Sequence, residues 1–338
     1  MATLANTDLT LLDQAKRTDP SGKVARIVEM LSQSNNMMKD AVSIEGNLPT
    51  GTRATIRTGL PTVYYKKLGI GTPSSKSETT QVDENAAILV ARSQVDEDTA
   101  ELNGNVAATR LSEASAFVEA MGQRDQETML YGSAANPEEY VGLANRYSLL
   151  SAPNGDNIID AGGSGSDNMS VWLLGWGDNT IHTVFPKGST AGISHTDLGL
   201  DDVADAAGNQ LRVYKDMWKL KNGLVVKDWR YGVRIANIDA SDLIAATGTQ
   251  ASTAATAVIK LMSRAIDHIP NMDSVNMAFY ANRTLLSHLR VAALANSSSA
   301  VTIEPALNQF GKTIHEIKFL GVPVRIVDRL INAEARVV

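Results

Sequence analysis

Hydrophobic and polar positions alternate in several rhythms along this chain, and each rhythm predicts a different element. From Lys23, the apolar residues Val24, Ile27, Val28 and Leu31 fall at helical spacing, which predicts a short amphipathic helix. It follows a polar stretch whose Asp19-Pro20-Ser21-Gly22 signals a turn, and Asn35-Asn36 and then Gly46, Pro49 and Gly51 break it. The strongest helical pattern opens after Asn103-Gly104-Asn105. There Ala107, Leu111, Ala114, Val118 and Met121 recur at steps of four and three, opposite Arg110, Glu113, Glu119 and Arg124. Gly132 suits its C-cap. At ~1.5 Å per residue this helix runs roughly 40 Å, a spine whose apolar stripe is expected to be buried.

Period-two or continuous apolar runs predict strands over 171–176, 181–185, 211–220, 224–235, 276–280 and 322–327. In the fourth, Trp229, Tyr231, Val233 and Ile235 alternate, and Lys221-Asn222-Gly223 before it predicts a hairpin turn, because Asn-Gly tolerates positive φ. A helix is predicted over 253–266, and another after Asn282, a suitable N-cap, with Leu285, Leu286, Leu289 and Ala292 on one face. Residues 151–168, rich in Gly, Asn, Asp and Ser, mark a boundary. The order is mixed α+β, without the regular strand–helix alternation of a parallel sheet.

Residues 53–82 follow none of these rhythms. They contain Gly59, Pro61, Gly69, Gly71 and Pro73, a Ser/Thr-rich stretch, and one β-favouring patch, Thr62-Val63-Tyr64-Tyr65. Few apolar residues are available to fill a core, so a long hairpin reaching away from its own domain is expected. Charge is sorted around it. Arg53, Arg57, Lys66, Lys67 and Lys76 are met by no acid up to residue 76, whereas Asp83, Glu84, Asp96, Glu97, Asp98 and Glu101 are met only by Arg92. Either the arms of the hairpin neutralise each other, or these are solvated faces, or opposite patches on neighbouring copies steer association.

Composition narrows the field. The chain has 338 residues, 43% hydrophobic and 20% charged, which is ordinary globular composition with room for a second lobe. No apolar run approaches the roughly 20 residues of a membrane span, and the N-terminus lacks the pattern of a signal peptide. The balance of 31 Lys+Arg against 37 Asp+Glu, net −6, carries no global footprint for nucleic acid. Without Cys there are no disulfides, thiolate nucleophiles or Cys-based zinc sites.

Candidate chemistry is sparse. His182, His195, His268, His288 and His315 show no metal-ligand spacing, and no calcium loop, phosphate loop or dinucleotide fingerprint is present. Gly188-Ser189-Thr190-Ala191-Gly192 has the glycine spacing of a nucleophile elbow but Thr at its centre. Tyr64-Tyr65-Lys66-Lys67 interleaves aromatic and basic residues as a single-strand nucleic-acid patch would, although an interface contact fits it better. No catalytic residue, cofactor or metal is expected.

Several segments in order resemble the major capsid proteins of tailed bacteriophages, with the Hong Kong 97-like fold, and among them those of short-tailed phages of the epsilon-fifteen type. They are Thr62-Val63-Tyr64-Tyr65-Lys66-Lys67-Leu68 leading to Pro73-Ser74-Ser75-Lys76-Ser77, the spine from Asn103 to Met121, the segment from Leu224 to Asp239, and Gly321-Val322-Pro323-Val324-Arg325-Ile326-Val327-Asp328. The resemblance covers most of residues 50–338. It implies an N-terminal arm (1–52), an extended loop (53–85), a peripheral domain (86–150 with 223–245 and 320–338) and an axial domain (151–222 with 246–319). It further implies pentamers and hexamers of one chain, closed into an icosahedral shell around double-stranded DNA in the virion and assembled in the host cytoplasm. A scaffolding protein, a portal protein and a cement or decoration protein are the implied partners, with no membrane and no sequence-specific DNA binding. The candidate inter-subunit contacts are Arg53, Arg57, Tyr64, Tyr65, Lys66, Lys67, Lys76, Asp96, Glu97 and Asp98. Two other readings stand beside this one: the shell of a cargo-enclosing bacterial nanocompartment, and a hydrolase with a site near 188–195.

Overall fold

The computed structural model describes residues 36–101, 105–204, 208–245, 249–295, 301–307 and 313–338. The helix expected over 23–31 lies outside the described residues. The chain opens with α1 (Asn36–Asp40), β1 (Ser43–Glu45) and two hairpin strands, β2 (Gly51–Gly59) and β3 (Glu78–Asn85). Then come β4 (Ala87–Asp96), α2 (Glu97–Glu101) and the spine, α3 (Val106–Tyr131). They are followed by α4 (Leu143–Arg146), β5 (Ile158–Asp160), β6 (Asn168–Trp176), β7 (Ile181–Phe185), β8 (Ile193–Ala204) and β9 (Gln210–Val226). The remainder comprises β10 (Gly232–Asp239), α5 (Ala240–Ala245), α6 (Thr249–Asp267), β11 (Asn276–Ala281), α7 (Arg283–Ala295), β12 (Val301–Leu307), β13 (Thr313–Phe319) and β14 (Val322–Ile326).

One sheet of 12 strands organises the molecule, in the order β12-β13-β14-β11-β6-β7-β9-β4, with β10 and β5 joined at β6, β8 on β9 and β1 on β7. All nine residues of β6 are buried. A strand covered on both faces needs apolar residues in succession rather than in alternation, which is how 171–176 reads. One face carries Val171, Leu173, Val233, Ile235 and Phe279 against α6 and α7, through Val258, Met262, Leu285 and Leu289. The opposite face packs Trp172, Leu174, Trp176 and Tyr280 on α1, the end of α3, α4 and the C-terminal residues Val327, Leu330 and Val337.

The spine forms as its pattern predicts. Its 26 residues run from Asn105, whose side chain accepts from the Ala108 N–H, to Gly132. Burial along it differs from the expectation. The C-terminal half buries Asp125, Gln126, Thr128, Met129 and Leu130, but Leu111 is 72% and Val118 40% exposed. Towards the N-terminal end Thr109 is buried, and near the middle Met121, with Ala114 and Phe117 partly covered, packs against Trp218 and Leu220 of β9. An apolar stripe specifies that something covers it, not that the sheet below does.

Two strand readings are corrected. Residues 224–235 are not one strand: β9 stops at Val226, a 3-10 turn over Trp229–Tyr231 intervenes, and β10 starts at Gly232. Asp228 caps that turn, accepting from the Arg230 N–H at 3.1 Å. Asn222-Gly223 makes no hairpin, because both lie inside β9. There the strand changes partner, Asn222 facing Ala87 of β4 and Gly223 facing Val184 of β7. Glycine is required at this point because a Cβ would stand 2.8 Å from the Asn85 carbonyl oxygen. The continuous β9 crosses the boundary expected at residues 222 and 223, since its first part pairs with β4 beneath the spine.

Candidate inter-subunit surface

The hairpin over 53–85 forms from β2 and β3, paired antiparallel from Gly51–Asn85 outward to Gly59–Glu78. The β-favouring patch at 62–65 makes no strand. Residues 60–77 form an irregular tip, closed by the Ser75 hydroxyl on the Thr62 carbonyl at 2.6 Å and by a turn from the Ile70 N–H to the Lys67 carbonyl. Leu60, Val63, Tyr64, Tyr65, Leu68 and Ile70 are all exposed there. Six large apolar side chains on one short segment exceed the scattered exposure that folded surfaces tolerate singly.

The basic residues divide. Arg53 is spent within the hairpin, bonded to Asp83 through Nε and Nη2 at 2.5 and 2.6 Å. These hydrogen bonds, with the neighbouring charge, hold the Asp83 carboxyl below its ordinary range. The pair is exposed, so its value to stability is small. Arg57, opposite Thr79, and Lys66, Lys67 and Lys76 at the tip are exposed and form no ion pair among the described residues.

The acidic residues are mostly engaged within the chain. Glu84 is buried and receives a two-pronged Arg146 guanidinium at 2.6 and 2.7 Å. The Asp96 carboxylate accepts from the Thr99 N–H and hydroxyl, which starts α2. Glu97 meets Arg212 at 3.5 Å, and Asp98 is exposed. The structure thus brings Arg53 onto Asp83 but gathers none of the other basic candidates onto Asp96, Glu97 or Asp98. On the acidic side the sorted charges serve four separate contacts, at Asp83, Glu84, Asp96 and Glu97, while on the basic side Arg57 and the three tip lysines form no ion pair among the described residues.

A second surface was hidden by the stripe of the spine. Between α3 and β8 lies a groove of about 740 Å³, lined by Leu111, Ala114 and Val118 on one wall and His195, Asp197 and Trp218 on the other. Its base is rigid. Trp218 is stacked on Phe117 at 5.4 Å between ring centroids and on His195 at 5.2 Å. Asp216, buried, accepts from His195 at 2.8 Å and from Arg110 at 3.1 and 2.7 Å, and Arg110 also reaches Asp197. The hydrogen bonds that Arg110 donates to Asp216 and Asp197 raise its guanidinium further above its already high value. The only sequence signal for this groove was the large residues Leu111 and Val118 seven positions apart on the helix.

The two groups of the hydrolase reading are engaged separately. The Ser189 hydroxyl donates to the Pro186 carbonyl within its own turn, while His195 is held by Asp216 and Trp218. Among the described residues no cluster of His, Asp or Glu could hold a metal, and no helix is long and apolar enough to cross a membrane.

Comparison with known proteins gives the family. The family model described as major capsid protein GP7 matches residues 19–338. The chain belongs to the major capsid protein GP7 family. A solved structure of bacteriophage Epsilon15 is 28% identical, with a TM-score of 0.75, and the alignment covers 100% of this chain and 99% of that one. The capsid of bacteriophage JBD30, 10% identical with a TM-score of 0.50, covers 89% of this chain and 93% of its own, a likeness of fold alone. No curated protein matches the chain. As a member of the GP7 family it has the α+β tailed-phage capsid fold and is a shell-forming structural protein of the phage virion, not an enzyme. The nanocompartment and hydrolase readings are not favoured.

Proposed function

We propose that this chain assembles as pentamers and hexamers into an icosahedral shell around double-stranded DNA, with residues 53–85 of each copy lying over a neighbour. The observation that carries this reading is the tip at 60–77, which presents exposed apolar side chains and Lys66, Lys67 and Lys76 with no acid among them. A subunit acting alone would gain nothing from such a projection, whereas a ring of copies covers it and orders it on assembly. In this reading Tyr64, Tyr65, Arg57, Lys66, Lys67 and Lys76 meet the adjacent copy, and Asp98 is the freest of the acidic candidates to receive them. Arg53, Asp96 and Glu97 contribute by keeping the hairpin and α2 in place. Residues 86–150 with 223–245 and 320–338 form the peripheral part, and 151–222 with 246–319 the axial part, with β9 joining the two.

Assembly in the host cytoplasm with a scaffolding protein, around a portal protein and beneath a cement or decoration protein, fits a shell of this family. The net charge of −6 fits a lining that encloses DNA without sequence-specific binding. The test is the triple substitution Arg57→Glu, Lys66→Glu and Lys67→Glu, followed by sedimentation and electron microscopy. The subunit is expected to stay folded and fail to close shells. Shells indistinguishable from wild type would refute the role given to the tip.

A further inference from the structure

We infer that residues 62–67 of one copy add a parallel strand to the open edge of β8 in its neighbour. The inference rests on the reading of the hairpin tip as a contact between copies, and it names the surface that receives the tip. β8 pairs with β9 along one side, and among the described residues its other side has no strand partner. Nearly all of its 12 residues are exposed. An edge of that length presents a row of open N–H and C=O groups, the template to which an extended segment of another chain adds. Thr62-Val63-Tyr64-Tyr65 is the converse, a β-favouring run that forms no strand in its own subunit and leaves Val63 and Tyr65 almost wholly exposed.

The two segments match position by position. Thr62-Val63-Tyr64-Tyr65-Lys66-Lys67 laid beside Asp197-Leu198-Gly199-Leu200-Asp201-Asp202 sets Val63 by Leu198 and Tyr65 by Leu200, both leucines exposed, and the lysine pair by the aspartate pair. Consecutive side chains of a strand point to opposite faces, so Lys66 and Lys67 need acids on both faces of the sheet they join. β8 supplies them. Asp201 shares the face of Lys215, which it meets at 2.6 Å, while Asp202 stands on the other face and forms no ion pair among the described residues. At the bulge in β8, Gly199 has a φ of 75°, and a Cβ there would meet nothing within 4 Å, so the Tyr64 ring finds open space. An antiparallel strand over the same six residues would set Lys66 by Leu198 and Val63 by Asp201, which favours the parallel direction. The edge also selects its occupant. Acids and a bulge blunt an edge against indiscriminate pairing, and a second β8 would add to the acids, whereas a lysine doublet neutralises them.

Amide hydrogen exchange of the full chain, free and assembled, tests the pairing without any substitution. Assembly is expected to slow exchange about tenfold over both 62–67 and 197–202. Slowing over 62–67 with 197–202 unchanged would overturn this inference while leaving the tip on a neighbour. No slowing over either segment would remove both readings. The absence of Cys allows the position to be checked as well. Subunits carrying only Tyr65→Cys are mixed with subunits carrying only Leu200→Cys, assembled, and treated with a short bismaleimide, so that a product joining the two variants comes from neighbouring copies. That product is expected. Its absence from assembled material, or a stronger product when Ile193→Cys or Val90→Cys replaces Leu200→Cys, would overturn the inference.

Discussion

Glu334 shows how much one buried carboxylate can organise. It accepts from the Tyr131 hydroxyl at 2.6 Å, from Ser170, and from Arg234 at 2.8 Å, which ties the C-terminal tail to the spine, β6 and β10. Arg234 in turn donates to the Tyr147 carbonyl at 2.7 Å and lies over the Trp172 ring. Burial, reinforced by Glu334, raises the Tyr131 phenol so that it keeps its proton and goes on donating. Glu334→Ala leaves the buried Arg234 cation without the carboxylate it pairs with, and is expected to destabilise the subunit by about 3–5 kcal/mol. Denaturant unfolding at neutral pH checks this, and a loss within error of zero would contradict it. His182 makes a pH-dependent contribution. Burial, with help from nearby Lys227, lowers its imidazole to about 4, and Asp178 opposes this only in part. The folded state thus binds fewer protons than the unfolded one between the ordinary value of about 6.5 and about 4. Stability from neutral His182 is full above that window and falls by roughly 3 kcal/mol as pH drops through it. His182→Gln should flatten that part of the stability–pH curve relative to wild type, and an identical curve would refute the assignment.

At the level of elements, the spine separates what its pattern could and could not announce. Its extent, Asn105 cap and Gly132 end were legible, because they depend on local chemistry. Its covering was not, because Leu111 and Met121 look alike in sequence while one meets solvent and the other Trp218. Leu111→Asp should therefore leave the core folded, shifting its unfolding by no more than about 1 kcal/mol. Thermal melting by circular dichroism checks this, and an unfolded chain would restore the fully buried stripe. Strands obeyed the same division. β7 was read at its observed bounds and α7 from its cap, since burial and capping leave local marks. β8 escaped notice because nearly all its residues are exposed, and such a strand needs no apolar rhythm. Asn222-Gly223 misled because glycine serves a close strand approach as well as a turn.

Over the whole molecule, one sheet carries two cores on opposite faces, and a hairpin leaves it with large apolar side chains that are exposed. The α+β class and the capsid resemblance were readable because they depend on the order of many segments. The individual contacts were less readable, because equal charges were put to different uses. Arg53 closes on Asp83 and Glu84 on Arg146, whereas Lys66 and Lys67 stay open at the tip. A shell repeats each small contact many times, so pairs worth about 0–1 kcal/mol singly can still direct assembly. This fold exists to build such a shell. Electron microscopy of the purified chain, expressed alone and with its neighbouring genes, tests it most directly. Closed icosahedral shells, or rings of five and six subunits, are the predicted result, and a stable monodisperse monomer under both conditions would contradict it.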